Sequence, residues 1–190
     1  MVYFRHIKMQ GEKIIKIIEL PNDLNAYIND GFLLVKSPKA EVKRELKRCN
    51  VQITIDDKKI ILKSKGETKE DKKMLGTLTA HIKNMIKGSV KAHSYTLKIC
   101  SGHFPMNVGV SGNKLIVKNF LGEKIPRVLQ LKEGANVKVE GDLVYVMSAD
   151  KEITGQVSAD IEQLTRRTGY DPRVFQDGIY IISKNGKELK

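Results

Sequence analysis

The chain repeats itself once, and that repeat limits what it can fold into. Leu20-Pro21 is answered about 84 residues later by Phe104-Pro105, "FLLVKS" by "KLIVKN", and "VQITIDDKKIILKS" by "NVKVEGDLVYVMS". A period this long, found only twice, indicates two duplicated domains rather than a solenoid, which needs several stacked copies. With 190 residues to divide, each copy falls near the lower end of ordinary domain size. The expected boundary lies near Lys91 to Ser94, giving domains 1–92 and 93–190.

Within each copy the pattern runs from strands to a helix. "EKIIKIIEL", "FLLVKS", "VQITI" and "KKIILKS" are β-branched runs bounded by turn residues, and Asp56-Asp57 reads as a hairpin turn between the last two. From Thr68 the period changes. "TKED" resembles a capping box, and Leu75, Leu78, Ile82, Met85 and Ile86 form a helical stripe ahead of Gly88. In the second copy Asp150 caps a helix whose stripe is Ile153, Val157, Ile161 and Leu164; Gly169 is expected to close it, and Pro172 prevents its continuation. Met85, Ile86 and Leu164 are read as packing residues. The expected fold is therefore α+β: two tandem homologous domains, each a small mostly antiparallel sheet packed against one helix.

Charge narrows the class of partner. Lys and Arg outnumber Asp and Glu by 34 to 22, a formal +12 that favours a polyanion such as nucleic acid. Residues 1–92 carry +9 and residues 93–190 carry +3. Position counts for more than total, because a phosphate contact needs a basic group held in place; "SKGETKEDKK" reads as a solvated face.

Sites for chemistry are missing from the sequence. There is no phosphate-binding G-x-x-x-x-G-K-[ST] loop and no G-x-S-x-G elbow. His6, His81, His93 and His103 lack metal-pair spacing, and Cys49 and Cys100 lack a CxxC neighbour. No enzyme activity, metal, cofactor or small-molecule substrate is expected. The two thiols read as reduced and cytoplasmic, and no apolar run reaches the roughly 20 residues needed to cross a bilayer, so no membrane partner is expected.

The series "HIKNMIKG", "HFPMNV", "VKNFLGEK", "ADIEQLTRR" and "DPRVFQDGIYI" closely resembles the universal ribosomal protein six family of the large subunit, whose eukaryotic cytosolic member is called ribosomal protein nine. The resemblance runs from Glu12 to Lys184, with the second half more specific. "NFLGEK" and "RVFQDGIYI" look like the archaeal and eukaryotic branch, and an archaeal source is expected. Two departures stand out: Thr79 occupies a position where related sequences commonly carry Arg, so no contact is assigned to it, and "MVYFRHIKMQ" has no clear counterpart. The resemblance implies two α+β domains, a non-enzymatic structural role on large-subunit rRNA among neighbouring large-subunit proteins, and a place near the sarcin-ricin loop where translational GTPases land.

Within that frame the segment from Arg166 to Lys184 supplies the leading rRNA-contact candidates. A helix C-terminus favours Arg166 and Arg167, and a final strand packs Ile179, Ile181 and Phe175 inward. That leaves Arg166, Arg167, Arg173, Gln176 and Lys184 gathered around a tight Asp177-Gly178 turn, where glycine permits close approach of the backbone. Arginines and Lys184 would hold phosphates, while Gln176 and backbone amides meet sugar or base edges. Tyr180 lies on the face opposite Ile179 and Ile181, and the sequence leaves it between stacking on a base and packing in the core. Asn119, Gly122 and Lys124 form a second candidate loop, with Arg127 and Lys118 weaker. The rival readings are a free RNA-binding or assembly protein and, more remotely, an RNA-processing enzyme.

Overall fold

The computed structural model describes residues 6–7, 14–38, 40–46, 51–56, 58–171 and 173–189. The expectations placed on Cys49, Asp57 and Pro172 lie outside the described residues. The chain divides into two units, Met1–Lys91 and Ala92–Lys190.

Unit 1 holds β1 (His6–Ile7), β2 (Ile15–Glu19), β3 (Asn25–Asn29), β4 (Phe32–Lys36), β5 (Glu41–Glu45), β6 (Val51–Asp56), β7 (Lys59–Ser64) and α1 (Lys69–Val90). Its strands form two antiparallel sheets, ordered β1-β2-β7-β6 and β3-β4-β5. Alternation explains the burial: Ile60 and Leu62 of β7 and Leu33 and Val35 of β4 are buried while their neighbours are less so. Helix α1 packs against both sheets. Its start is the expected box, with the Asp71 amide donating to Thr68 Oγ1 at 3.2 Å and the Thr68 amide donating to Asp71 Oδ2 at 3.2 Å. Its end differs from expectation, since the helix runs through buried Gly88 to Val90. Thr79 is buried and donates from Oγ1 to the Leu75 carbonyl at 2.5 Å, which suits an inward helical position rather than a surface contact.

Unit 2 holds β8 (His93–Cys100), β9 (Asn107–Ser111), β10 (Lys114–Lys118), a 3-10 turn at Phe120–Gly122, β11 (Arg127–Gln130), β12 (Asn136–Glu140), β13 (Leu143–Ser148), α2 (Lys151–Leu164), β14 (Gly178–Lys184) and β15 (Lys187–Glu188). Its two antiparallel sheets are ordered β12-β13-β8-β14-β15 and β11-β10-β9. Leu97, Val144, Val146 and Ile179 from the larger sheet, Leu115 and Val117 from the smaller, and Val157 and Ile161 from α2 close one core. Asp150 caps α2, accepting from the Glu152 amide at 2.8 Å.

Each unit thus has two small sheets bound by one helix, rather than a single sheet. The sheet orders match except at one edge of the larger sheet, where unit 2 also adds β15. Where β2 is flanked by the two-residue β1, its counterpart β8 is flanked by the seven-residue β14. The segment between α2 and β14 therefore has no equivalent within the first copy, because there the corresponding place is filled from the N-terminal side.

Candidate nucleic-acid interface

The C-terminus of α2, the loop 165–177 and the start of β14 form one end of unit 2. Helix α2 stops at Leu164, and Thr165 is its C-cap. Buried Thr165 donates from Oγ1 to the Glu162 carbonyl at 3.2 Å and accepts from the Ile179 amide at 2.9 Å, so one hydroxyl ties the helix end to β14. The Ile181 amide reaches Glu162 Oε1 at 3.5 Å. These side chains cover part of a strand edge that would otherwise expose unpaired amides. Gly169, with φ +85°, lies in the loop beyond the cap and does not end the helix.

The expected turn at Asp177-Gly178 is displaced. The tight turn is at Asp171, whose carbonyl accepts from the Val174 amide at 3.1 Å and the Phe175 amide at 2.9 Å. Asp171 also accepts from the Arg173 guanidinium at 2.9 Å, and that hydrogen bond holds its carboxyl below the usual range.

Asp177 is an anchor instead of a surface contact. Its side chain is 3% exposed, and Oδ1 accepts from the Gly102 amide at 2.8 Å and the His103 amide at 3.0 Å while Oδ2 faces His103 Nδ1 at 2.5 Å. Burial alone would push its carboxyl up; the hydrogen bonds from the His103 amide and ring and from Gly102 outweigh burial and hold it below the usual range. Gly178 opens β14, and a Cβ there would meet the Tyr180 hydroxyl at 3.1 Å, so glycine lets that ring lie back along the strand. Phe175 is likewise not in the core. It stacks on His103 with centroids 4.8 Å apart and meets Tyr170 edge-to-face at 4.8 Å.

The contacts continue to the 3-10 turn. The Arg167 guanidinium lies 4.5 Å from the Tyr170 ring centroid and donates to Glu123 Oε1 at 3.0 Å. Glu123 also takes a bidentate pair from Arg127 at 2.8 and 2.6 Å, a hydrogen bond that lowers its carboxyl below the usual range. Arg127 donates a third bond, at 2.7 Å, to the Leu164 carbonyl and stacks over buried Phe120. The helix C-terminus is thus served by Arg127 from β11, not by the arginines that follow it. The Arg127 guanidinium is thus occupied within the chain, contrary to the contact role expected of it.

The remaining candidates sort by what they touch. Arg166 is exposed, and no hydrogen bond or ion pair engages its guanidinium among the described residues. Arg173 and Gln176 are exposed at the Asp171 turn, with Gln176 Nε2 donating to the Arg173 carbonyl at 3.3 Å. Tyr180 is 41% exposed, which settles it outside the core. Asn119, with φ +59°, donates to the Pro105 carbonyl at 3.0 Å; Gly122, with φ +77°, lies under the Phe104 ring; Lys124 is exposed. Lys184 does not join this group. It is six residues along β14 from Gly178, about 20 Å at the rise of a strand, and its Nζ lies 5.9 Å from the Tyr95 ring.

The motifs "HFP", "NFLGEK" and "RRTGYDPRVFQDG" therefore meet at one end of unit 2. Two segments of the chain, residues 20–89 and 104–178, match the family model described as ribosomal protein L6. The chain belongs to the ribosomal protein L6 family. It is 44% identical to the large ribosomal subunit protein uL6 of Methanococcus vannielii over 172 residues, which covers 90% of this chain and 94% of that one. The protein of the same name from Methanobrevibacter smithii is 43% identical over 88% of this chain and 94% of its own length. That of Methanothrix thermoacetophila is 39% identical over 91% and 98%. This places the chain with archaeal L6 proteins, a structural and non-enzymatic family, as the motifs imply. Both family matches fall one to a unit, so the duplication read from the sequence is the family's own two-domain plan.

Sequence reasoning missed Glu123, His103 and Tyr170. The only signal for Glu123 was an acidic residue inside a basic motif. Nothing local marks His103, whose partner is 74 residues away.

Proposed function

We propose that this L6-family chain is a resident structural protein of the large ribosomal subunit that binds and braces large-subunit rRNA beside the sarcin-ricin loop, where translational GTPases land. Unit 2 is the rRNA-binding domain in this reading. The location follows from the family resemblance, and the chemistry follows from the interface. The observation that carries it is the contrast between Arg166, exposed and with no partner for its guanidinium among the described residues, and the fixed scaffold behind it, in which Asp177, His103, Phe175, Tyr170, Arg167 and Glu123 hold the loop in shape. A rigid loop presenting cations pays little ordering entropy on binding.

Arg166, Arg173, Lys124 and the outer edge of Arg167 neutralise phosphates, and Gln176, Asn119 and backbone amides near Gly122 and Gly178 meet sugars or base edges. Lys184 makes a separate phosphate contact. The family carries neighbouring large-subunit proteins as further partners. Hydroxyl-radical footprinting of the full chain on large-subunit rRNA tests this: protection centred on and beside the sarcin-ricin loop is expected, weakened by Arg166→Glu. Protection elsewhere removes the location, and no protection removes rRNA bracing.

A further inference from the structure

Behind Arg166 the surface is hollow. A concavity of about 630 Å³ is lined by Arg166, Tyr170, Tyr180 and Glu162 among others, within the size range of small-ligand sites. A surface that only follows an RNA backbone needs no such hollow. Two features of its lining point to something more specific.

The first is aromatic. Tyr170 and Tyr180 are 43% and 41% exposed, and both line the hollow. Each is fixed from behind. Tyr170 lies against Phe175 and under Arg167, and Tyr180 lies back over Gly178. Burial, then the neighbouring Cys100, Asp177 and Glu162, raise the Tyr180 hydroxyl above its ordinary value, so the ring stays a neutral stacking surface.

The second is a carboxylate. Glu162 lines a concavity whose rim carries two arginines, where a phosphate would be repelled by it. Among the described residues, the carboxylate's only hydrogen bond is the long one, 3.5 Å, from the Ile181 amide to Oε1, and a carboxylate offers about four acceptor positions. A carboxylate inside a cationic site suits a ligand that presents N–H donors as well as phosphate. A nucleobase out of its helix does so, and guanine alone among the common bases offers two adjacent donors, N1–H and N2–H, to a carboxylate's two oxygens.

We propose that this hollow takes one unpaired guanine of the bound RNA, with the base against Tyr180 and Tyr170, its N1–H and N2–H on Glu162, and its phosphate on Arg166. This rests on the rRNA-binding reading and deepens it. A bidentate pair of this kind is worth about 1–3 kcal/mol of discrimination between bases, roughly five- to 150-fold.

Kethoxal, which reacts at guanine N1 and N2, reads this edge directly. The full chain is bound to large-subunit rRNA and probed with kethoxal alongside hydroxyl radicals. One unpaired guanine inside the backbone footprint should lose reactivity at least fivefold, and regain it in Glu162→Gln with the footprint unchanged. Gln keeps the acceptor for the Ile181 amide, so the fold is preserved, while losing the paired acceptor. Tyr180→Phe, which retains the ring, should keep the protection. A backbone footprint without any guanine whose protection depends on Glu162 overturns the base pocket and leaves rRNA binding standing. A missing footprint removes both.

Discussion

Replacing Asp177 by alanine should damage rRNA binding although its carboxylate faces inward. The substitution removes acceptors from the Gly102 and His103 amides at 2.8 and 3.0 Å and the partner of the His103 ring. Hydrogen bonds to a charged group contribute about 1.5–3 kcal/mol each. Water replaces part of this, because the His103 side chain is 38% exposed, so the expected loss is about 2–4 kcal/mol. The loss is local at first: His103 no longer supports Phe175, and the contacts from Phe175 through Tyr170 to Arg167 loosen. A double-mutant cycle with His103→Ala, read by amide exchange at Ile179 and by rRNA affinity in the full chain, should show coupling of about 1 kcal/mol or more, since the two side chains act as one unit. Additive effects within about 0.5 kcal/mol would refute the claim that this pair organises the loop. So would unchanged rRNA affinity in Asp177→Ala.

Three further outcomes follow. Arg166→Ala should weaken rRNA binding and reduce the slope of log affinity against log salt by about 0.7–0.9, with Lys184→Ala adding to it independently because the two are far apart; a cooperative pair would contradict the geometry. The Asp177 carboxyl is lowered in the folded chain, so its stabilisation is present above the ordinary carboxylate value, about 3.9, and lost as pH falls through the folded value. Exchange protection of the Gly102 amide should therefore hold from pH 7 down to about 4 and fail below; failure beginning near pH 6 would contradict this. Ile161→Ala, at a fully buried position of α2, should cost about 2–5 kcal/mol in urea unfolding followed at unit 2, and a cost below about 1 kcal/mol would mean the core is wrongly placed.

What the sequence made legible depended on how local the cause was. Helix starts at Thr68 and Asp150 are set by side chains two or three residues from the amides they cap, and alternation in "KKIILKS" and "LVYVMS" marks buried strands directly. Strand β5, "EVKRE", escaped notice because only Val42 is buried and pairing with β4 supplies the rest. The arrangement behind the interface was less legible for the same reason. Asp177 and His103 are brought together by β14 lying beside β8, and Arg127 meets the Leu164 carbonyl across 37 residues. Counting basic residues near Asp177 therefore placed Lys184 with Arg166, although six residues of β14 carry it away.

Sedimentation of an archaeal lysate expressing this chain, through a sucrose gradient in high salt, tests the central claim most directly. Quantified against other large-subunit proteins, the chain should be present at about one copy per large subunit. Recovery only in the light fractions would contradict residence in the subunit and leave a free RNA binder in its place.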